Sequence, residues 1–250
     1  MYSIYSLLFL CLAINLLGLW EFYKLVPYTN NLTRKTFGMV LSTCLLVSIC
    51  LWANQQIDAK ILLINIPLVS IIFIAELYLR SPTPFINLAF LFLGLIYITM
   101  PSILLFACAV SVPIGLNAQE VVLGYFFLLW ANDTGAYVFG SLFGKNSLFA
   151  RISPNKTWEG SGGGAFLVIV IAYINYTFLQ ELSFLSWSII ASIVIIMGTF
   201  GDLVKSLLKR ILNKKDSGNL LPGHGGILDR FDSLLGSVPW VYAFLILNFS

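Results

Sequence analysis

Long apolar runs constrain this chain more than any other feature of its sequence. Runs of about 17–25 residues are typical of helices that span a bilayer. Soluble domains carry roughly 25% charged residues, whereas this chain carries 10%. It cannot cover its apolar surface with polar groups, so we predict an integral membrane protein. We count eight runs, at residues 4–22, 36–53, 61–79, 85–106, 120–143, 162–180, 187–207 and 233–249.

The type of fold follows from the needs of the backbone. In lipid, every N–H and C=O must pair within the protein, either in helices or in a closed barrel. Barrel strands would alternate apolar and polar residues, and these runs do not alternate. We predict an all-α, polytopic integral membrane protein with about eight transmembrane helices. Pro101 and Pro113 make the boundary of the fourth run the weakest, so seven or nine spans are alternatives.

The distribution of basic residues predicts the orientation. With eight spans, thirteen of the fourteen Lys and Arg residues fall in loops or at span ends on one side, and only Lys60 falls on the other. The positive-inside rule then places both termini outside and the basic loops in the cytosol. The first run has no basic region and no small-residue cleavage pattern, so we expect a retained span. The net charge of +3 suits anionic lipids and does not indicate a nucleic-acid partner.

Polarity divides the chain in two. Residues 1–110 are interpreted as N-terminal transmembrane helices, and residues 111–250 as a C-terminal transmembrane catalytic region with cytosolic loops 144–161 and 208–232. Segment 202–232 holds six of the fourteen Lys and Arg residues and the only His. A short membrane protein that gathers its charge in one segment is expected to carry out chemistry there.

Asp133 belongs to the first of three polar constellations in the second half. It lies within the fifth apolar run, where a carboxylate costs on the order of 3 kcal/mol. It should therefore face protein or water. One interpretation is a structural ion pair with Lys156 or Arg230. The other is a direct role near a substrate or metal.

The second constellation places Lys156 between Pro154 and a glycine cluster at residues 160–164. Proline stiffens a loop, and glycine lets backbone approach a ligand. A lysine beside free N–H groups suits phosphate, and an ordinary surface lysine is the alternative. The glycine run matches neither the P-loop nor the dinucleotide-binding pattern.

The third constellation carries most of the charge. Asp202, Ser206 and Lys209 have the spacing of one helical face, and Asp229 and Asp232 lie in the first turn of the last predicted span. N-terminal capping by acids explains Asp232. It does not explain why Asp202, Asp229 and many cations share one membrane edge. Carboxylates bind Mg²⁺ through oxygen, and cations bind phosphate, so the pattern indicates a Mg²⁺–nucleotide site.

These residues resemble a known signature. From Ser206 to Asp232 the chain reads S-x-L-K-R-x4-K-D-x-G-x2-L-P-x-H-G-G-I-x-D-R-F-D, which is similar to the signature of phosphatidate cytidylyltransferases, also called CDP-diacylglycerol synthases. The first two constellations are also similar to family patterns, in the same order. The resemblance covers residues 130–240.

The resemblance implies transfer of the cytidylyl group of CTP to phosphatidate, giving CDP-diacylglycerol and pyrophosphate in phospholipid biosynthesis. It implies Mg²⁺, with or without a second cation, and homodimers, which the family is known to form. It also implies a bacterial inner-membrane location with the site facing the cytosol. Asp202 and Asp229 become the expected metal ligands. The expected catalytic and phosphate-binding residues are Asp133, Lys156, Lys209, Arg210, His224 and Arg230. The expected nucleotide-binding residues are Ser206, Lys215, Gly225 and Gly226.

Lys205 departs from the pattern, because the family often has Glu three residues after this aspartate. Either that carboxylate is dispensable, or the metal or phosphate arrangement is altered locally. His224, between glycines, could serve phosphate or a proton, or could stabilise a turn. The alternative functions are another membrane phosphotransferase acting on a lipid phosphate and, in a different class, a transporter. A transporter would carry its essential charges near the bilayer midplane.

Overall fold

Helices that could cross a membrane make up most of this protein. The computed structural model describes residues 4–110, 117–214, 218 and 226–249. In that part of the chain, seven helices are long and apolar enough to span a bilayer. The predicted all-α, polytopic membrane fold is thereby confirmed. The seven are Ile4–Leu25, Leu32–Ala53, Ala59–Tyr78, Pro84–Val110, Trp158–Phe178, Phe184–Ile211 and Leu228–Phe249.

The chain forms two compact units, each with its own packing. One comprises the described parts of Met1–Val110 and Lys215–Phe231, and the other those of Ser111–Lys214 and Asp232–Ser250. The helices of the first unit are α1 (Ile4–Leu25), α2 (Leu32–Ala53), α3 (Asn65–Tyr78), α4 (Pro84–Gly94) and α5 (Met100–Val110), with 3₁₀ turns at Pro27–Thr29 and Ala59–Ile64.

A wide turn lets the fourth span continue through a proline. α4 and α5 are joined by a π-helical turn at Leu95–Thr99, so residues 84–110 form one helix. Pro101 lies just after that turn. Proline removes one backbone N–H and crowds the preceding turn, and a local π turn relieves both problems. The interruption expected at Pro101 is therefore absent, and Pro113 lies outside the described residues.

The second unit contains the remaining helices and a small hairpin. Its elements are α6 (Ala118–Phe143), β1 (Ser147–Phe149), β2 (Ser153–Thr157), α7 (Trp158–Phe178), α8 (Phe184–Ile193), α9 (Thr199–Ile211) and most of α10 (Leu228–Phe249). A π-helical turn at Val194–Gly198 joins α8 and α9. The two strands pair antiparallel, with Ser147 opposite Thr157 and Phe149 opposite Ser153. The sequence did not indicate this hairpin.

Helix α6 corresponds to the fifth predicted span but is not among the seven. Its 26 residues extend about 39 Å at 1.5 Å per residue, which exceeds the roughly 30 Å of a bilayer core. It carries two polar residues, Asn132 and Asp133, near its middle. Each of the eight predicted runs falls on a helix.

In the first unit, a side chain of α1 forms hydrogen bonds with the backbone at the beginning of α10. The carboxylate of Glu21 is buried, with 1% of the residue exposed. It accepts hydrogen bonds from the backbone N–H groups of Ile227 and Leu228, each at 2.9 Å. The first N–H groups of a helix have no partner within it, and a negative charge also suits the helix dipole there. Glu21 therefore caps α10 from another helix.

We expect Glu21→Ala to lower the free energy of unfolding by about 2 kcal/mol or more, because two N–H groups lose their acceptor. Glu21→Gln keeps one side-chain oxygen and should fall between wild type and Glu21→Ala. Unfolding in mixed detergent micelles measures both variants. Equal stability of Glu21→Ala and wild type would show that this cap contributes nothing.

Candidate active site

Four charged side chains from three elements form one cluster in the second unit. Lys156 on β2 is ion-paired with Asp202 Oδ2 on α9. The ammonium of Lys205, one turn further along α9, lies 3.4 Å from Asp202 Oδ1 and donates to Asp232 Oδ2 on α10. We call Lys156, Asp202, Lys205 and Asp232 the aspartate–lysine cluster. It alternates positive and negative groups, so each charge has an opposite neighbour.

Two glycines allow α9 and α10 to come this close. A Cβ atom added to Gly236 would lie 2.6 Å from Gly201 Cα, and one added to Gly201 would lie 2.6 Å from Asp232 O. These helices therefore touch backbone to backbone, as small residues permit in membrane proteins. Asp202 follows Gly201 directly, so the close contact sets the position of the cluster.

The hairpin presents Lys156 and is tied down at both ends. At its start, the Glu159 carboxylate accepts from the backbone N–H of Lys145 at 3.1 Å and from that of Asn146. At its end, Thr157 Oγ1 accepts from Gly160 N at 3.1 Å and caps α7. Between the strands, Arg210 Nε of α9 donates to Ile152 O at 3.2 Å. Lys156 therefore lies on a strand whose hairpin is held in place by hydrogen bonds at three points.

Asp133 joins the cluster through a serine. Ser233 Oγ donates to Asp133 Oδ1 at 3.2 Å, and Ser233 N donates to Asp232 Oδ1 at 2.7 Å. The ion pair made by Lys156 is with Asp202, where the sequence had suggested Asp133 as one alternative. Asp133 thus lies beside the candidate site and accepts a hydrogen bond from the hydroxyl of Ser233.

The remaining predicted residues of α9 lie on its last two turns. Ser206 Oγ donates to Asp202 Oδ1 at 3.4 Å, as the predicted helical spacing requires. Lys209 is half-buried and Arg210 is exposed. Arg210 contacts Ile152 O, so the last turns of α9 lie against the hairpin that carries Lys156.

Asp229 and Arg230 belong to the first unit. Asp229 Oδ2 accepts from Gly226 N at 3.3 Å, and Arg230 is exposed on the first turn of α10. The convergence of Asp202 with Asp229 stays a prediction. Lys215, His224 and Gly225 lie outside the described residues.

Sequence reasoning missed two members of the cluster. Lys205 was noted only as a departure from the family pattern, and Asp232 was interpreted as a helix cap. The signal for Lys205 was its position three residues after Asp202, where opposite charges meet on a helix. Asp232 has no comparable signal, because its contact with Lys205 crosses between helices.

The donor chemistry of the cluster fits a divalent cation that is shared with a substrate. Among the described residues, no three His, Cys, Asp or Glu side chains converge on one point, so they contain no complete protein cage. Mg²⁺ is commonly held by one or two carboxylates together with substrate phosphates. Asp202, with 25% of its side chain exposed, offers a carboxylate, and Ser206 offers a hydroxyl beside it.

The amino-acid sequence matches the model of the cytidylyltransferase family over residues 1–248. It is 45% identical over 139 residues to a phosphatidate cytidylyltransferase of Bacillus subtilis (strain 168), covering 54% of this chain and 51% of the relative. For the phosphatidate cytidylyltransferase of Staphylococcus haemolyticus (strain JCSC1435), identity is 43% over 131 residues, covering 52% and 50%. For that of Haemophilus influenzae, it is 32% over 251 residues, covering 91% and 85%. The chain thus spans about half the length of the first two relatives.

Proposed function

We propose that this chain, which belongs to the cytidylyltransferase family, transfers the cytidylyl group of CTP to phosphatidate. The observation that carries the proposal is the Asp202 carboxylate, which is 25% exposed, lies on a helix long and apolar enough to span a membrane, and is held between Lys156 and Lys205. A lipid phosphate with its acyl chains in the bilayer can reach such a position, and so can a water-soluble nucleotide.

The chemistry requires positioning and charge neutralisation more than a strong base. The phosphate of phosphatidate is already anionic near neutral pH. One of its oxygens forms a bond to the α-phosphorus of CTP, the bond from that phosphorus to the bridging oxygen breaks, and pyrophosphate leaves. Lys156, Lys209 and Arg210 would bind phosphate oxygens and neutralise the developing charge.

We propose Asp202 and Asp229 as ligands of Mg²⁺, with Asp133 and Ser206 in supporting positions. The bound ion would neutralise the triphosphate and stabilise the leaving pyrophosphate. Asp202 would offer its carboxylate to the ion once Lys156, which is 29% exposed, had moved to a substrate phosphate. Arg230, Lys215, His224, Gly225 and Gly226 remain candidate phosphate and nucleotide contacts.

The direct test is a two-substrate assay. Purified protein in mixed micelles with phosphatidate, CTP and Mg²⁺ should form a CDP-lipid and release pyrophosphate in equal amounts. Replacing phosphatidate by diacylglycerol, which lacks the attacking phosphate, should abolish both products. A folded protein that makes no CDP-lipid over a range of lipid compositions would contradict the proposal. Uptake by proteoliposomes without product formation would favour a transporter.

Lys156→Ala should lower kcat/KM for CTP by roughly 10-fold to 10²-fold, since a hydrogen bond to a charged group is lost. The matched control is Lys145→Ala, an exposed lysine just before the same hairpin. Steady-state kinetics at varied CTP measures both variants. Equal losses in the two would argue against a specific role for Lys156.

We also propose a location in the bacterial inner membrane, with the site on the cytosolic side. The bias of basic residues supports this orientation. Arg151→Cys should react with an impermeant thiol reagent only from the cytosolic side, and Lys60→Cys only from the outside. Labelling of both from one side would overturn the topology. A homodimer, which the resemblance implies, stays a prediction.

A further inference from the structure

Lys205 is a buried cation between two carboxylates. Its side chain is 6% exposed, and that of Asp232 is 8% exposed. Its ammonium group contacts Asp202 on its own helix and Asp232 on α10. The proposed reaction gives this lysine no part, because a side chain so enclosed is poorly placed to meet a substrate.

The close contact of α9 and α10 creates a need for such a cation. Gly201 and Gly236 bring the two backbones together, and this places two carboxylates around one point. Carboxylates that share a partly buried site repel each other strongly unless a positive charge or a shared proton lies between them. An ammonium group is a compact point charge with three donors and suits a position between two carboxylates.

The two lysines of the cluster differ in exposure and in the oxygen that they contact. Lys205 is near Asp202 Oδ1 and is enclosed, whereas Lys156 pairs with Oδ2 and is 29% exposed. Lys205 therefore keeps its contacts with Asp202 and Asp232 during turnover. Lys156 is able to leave Asp202 for a substrate phosphate. The orientation of the Asp202 carboxylate is then set by Lys205, together with the hydroxyl of Ser206 on the same oxygen.

We propose that Lys205 is a positioning residue that acts as a built-in monovalent cation. It holds Asp202 and Asp232 in place and fills the position that an inorganic monovalent cation would take if residue 205 were neutral. The effect of Lys205 on catalysis rests on the proposed function. The binding of a monovalent cation to a variant that lacks this lysine does not. A protein with this lysine needs no monovalent ion at that point.

The test removes the positive charge of Lys205 and supplies the ammonium ion as a substitute. Lys205→Ala leaves two facing carboxylates and a space, so its midpoint of thermal unfolding in detergent should fall by roughly 10 °C. Ammonium chloride should raise that midpoint in a saturable way, because NH₄⁺ fits the vacated position. Tetramethylammonium chloride at the same ionic strength should not, because that ion is too large. Wild type and Lys60→Ala, which removes an 84% exposed lysine, should not distinguish the two salts.

Kinetics at a temperature well below all midpoints separates positioning from folding. The kcat of Lys205→Ala should fall on the order of 10²-fold, the size of effect expected from a misplaced catalytic group. It should recover with NH₄⁺ but not with tetramethylammonium. No ion-specific recovery of either the midpoint or kcat would overturn the inference, as would the same saturable ammonium effect in wild type.

A double variant covers the case in which Lys205→Ala does not fold. Lys205→Met with Asp232→Asn removes one charge of each sign, so the protein should fold without any monovalent requirement. If it fails to fold, or if NH₄⁺ still stabilises it selectively, the inference is wrong. Unfolding needs neither substrate. Ammonium binding without transferase activity would therefore reject the proposed function alone, and activity without ammonium binding would reject this inference alone.

Discussion

Asp202→Asn is expected to reduce the rate of CDP-lipid formation by at least about 10²-fold while the protein remains folded. The substitution keeps the shape of the side chain and removes its charge. Three partners depend on that charge: Lys156, Lys205 and the proposed Mg²⁺. Lys205 keeps its ion pair with Asp232, so we expect the loss to appear mainly in kcat. Steady-state assays with varied Mg²⁺ measure it.

The matched control is Asp58→Asn. Asp58 is 67% exposed, pairs with Lys60 and caps a short 3₁₀ turn. Asparagine caps helices as well as aspartate does, so this variant should retain the wild-type rate. Retained activity of Asp202→Asn at saturating substrates would remove this residue from the catalytic machinery. An equal loss in both variants would indicate a general effect on the protein.

Gly201→Ala is expected to cost both stability and activity. The new methyl group would lie 2.6 Å from Asp232 O and 2.8 Å from Gly236 Cα, so α9 and α10 must move apart. Overpacking of this kind costs about 1–3 kcal/mol. Displacing Asp202 and Asp232 relative to each other should lower kcat by about 10²-fold. Thermal unfolding and the product assay measure the two effects.

Gly162→Ala is the control for this substitution. Gly162 is also a helical glycine, on α7, but a Cβ atom there would meet nothing within 4 Å. Alanine favours a helix interior over glycine by roughly 1 kcal/mol. The variant should therefore be as stable as wild type or slightly more stable, with unchanged activity. If Gly201→Ala behaved in the same way, the helix contact would not position the site.

The helices were predictable because lipid leaves a chain few options. An apolar run long enough to cross a bilayer has to satisfy its backbone locally, so hydropathy alone identified all eight helices. The sequence did not predict two features of the backbone. The π turn that carries the helix past Pro101 depends on backbone geometry with no residue signature. The β1–β2 hairpin is three and five residues long, too short to leave a clear alternating pattern.

The sequence predicted which residues belong to the site better than it predicted which of them form ion pairs. Asp202 and Lys156 were both singled out from the sequence, yet the pair that they form was not. They are 46 residues apart, and their contact depends on how the hairpin is braced by Arg210 and Glu159. Hydrogen bonds of this kind follow from packing, and no local pattern encodes them.

The sequence by itself determined the membrane fold, the family and the polar residues in which chemistry is expected. Each of these is a local property, written in hydropathy or in the order of residues along one segment. Only the tertiary structure decided that Lys205 lies between Asp202 and Asp232, and that Glu21 caps the last helix. The contacts of Asp232 with Lys205 and of Glu21 with Leu228 join residues far apart in the chain. They arise because close helix packing excludes water and obliges each buried charge or N–H group to find a partner.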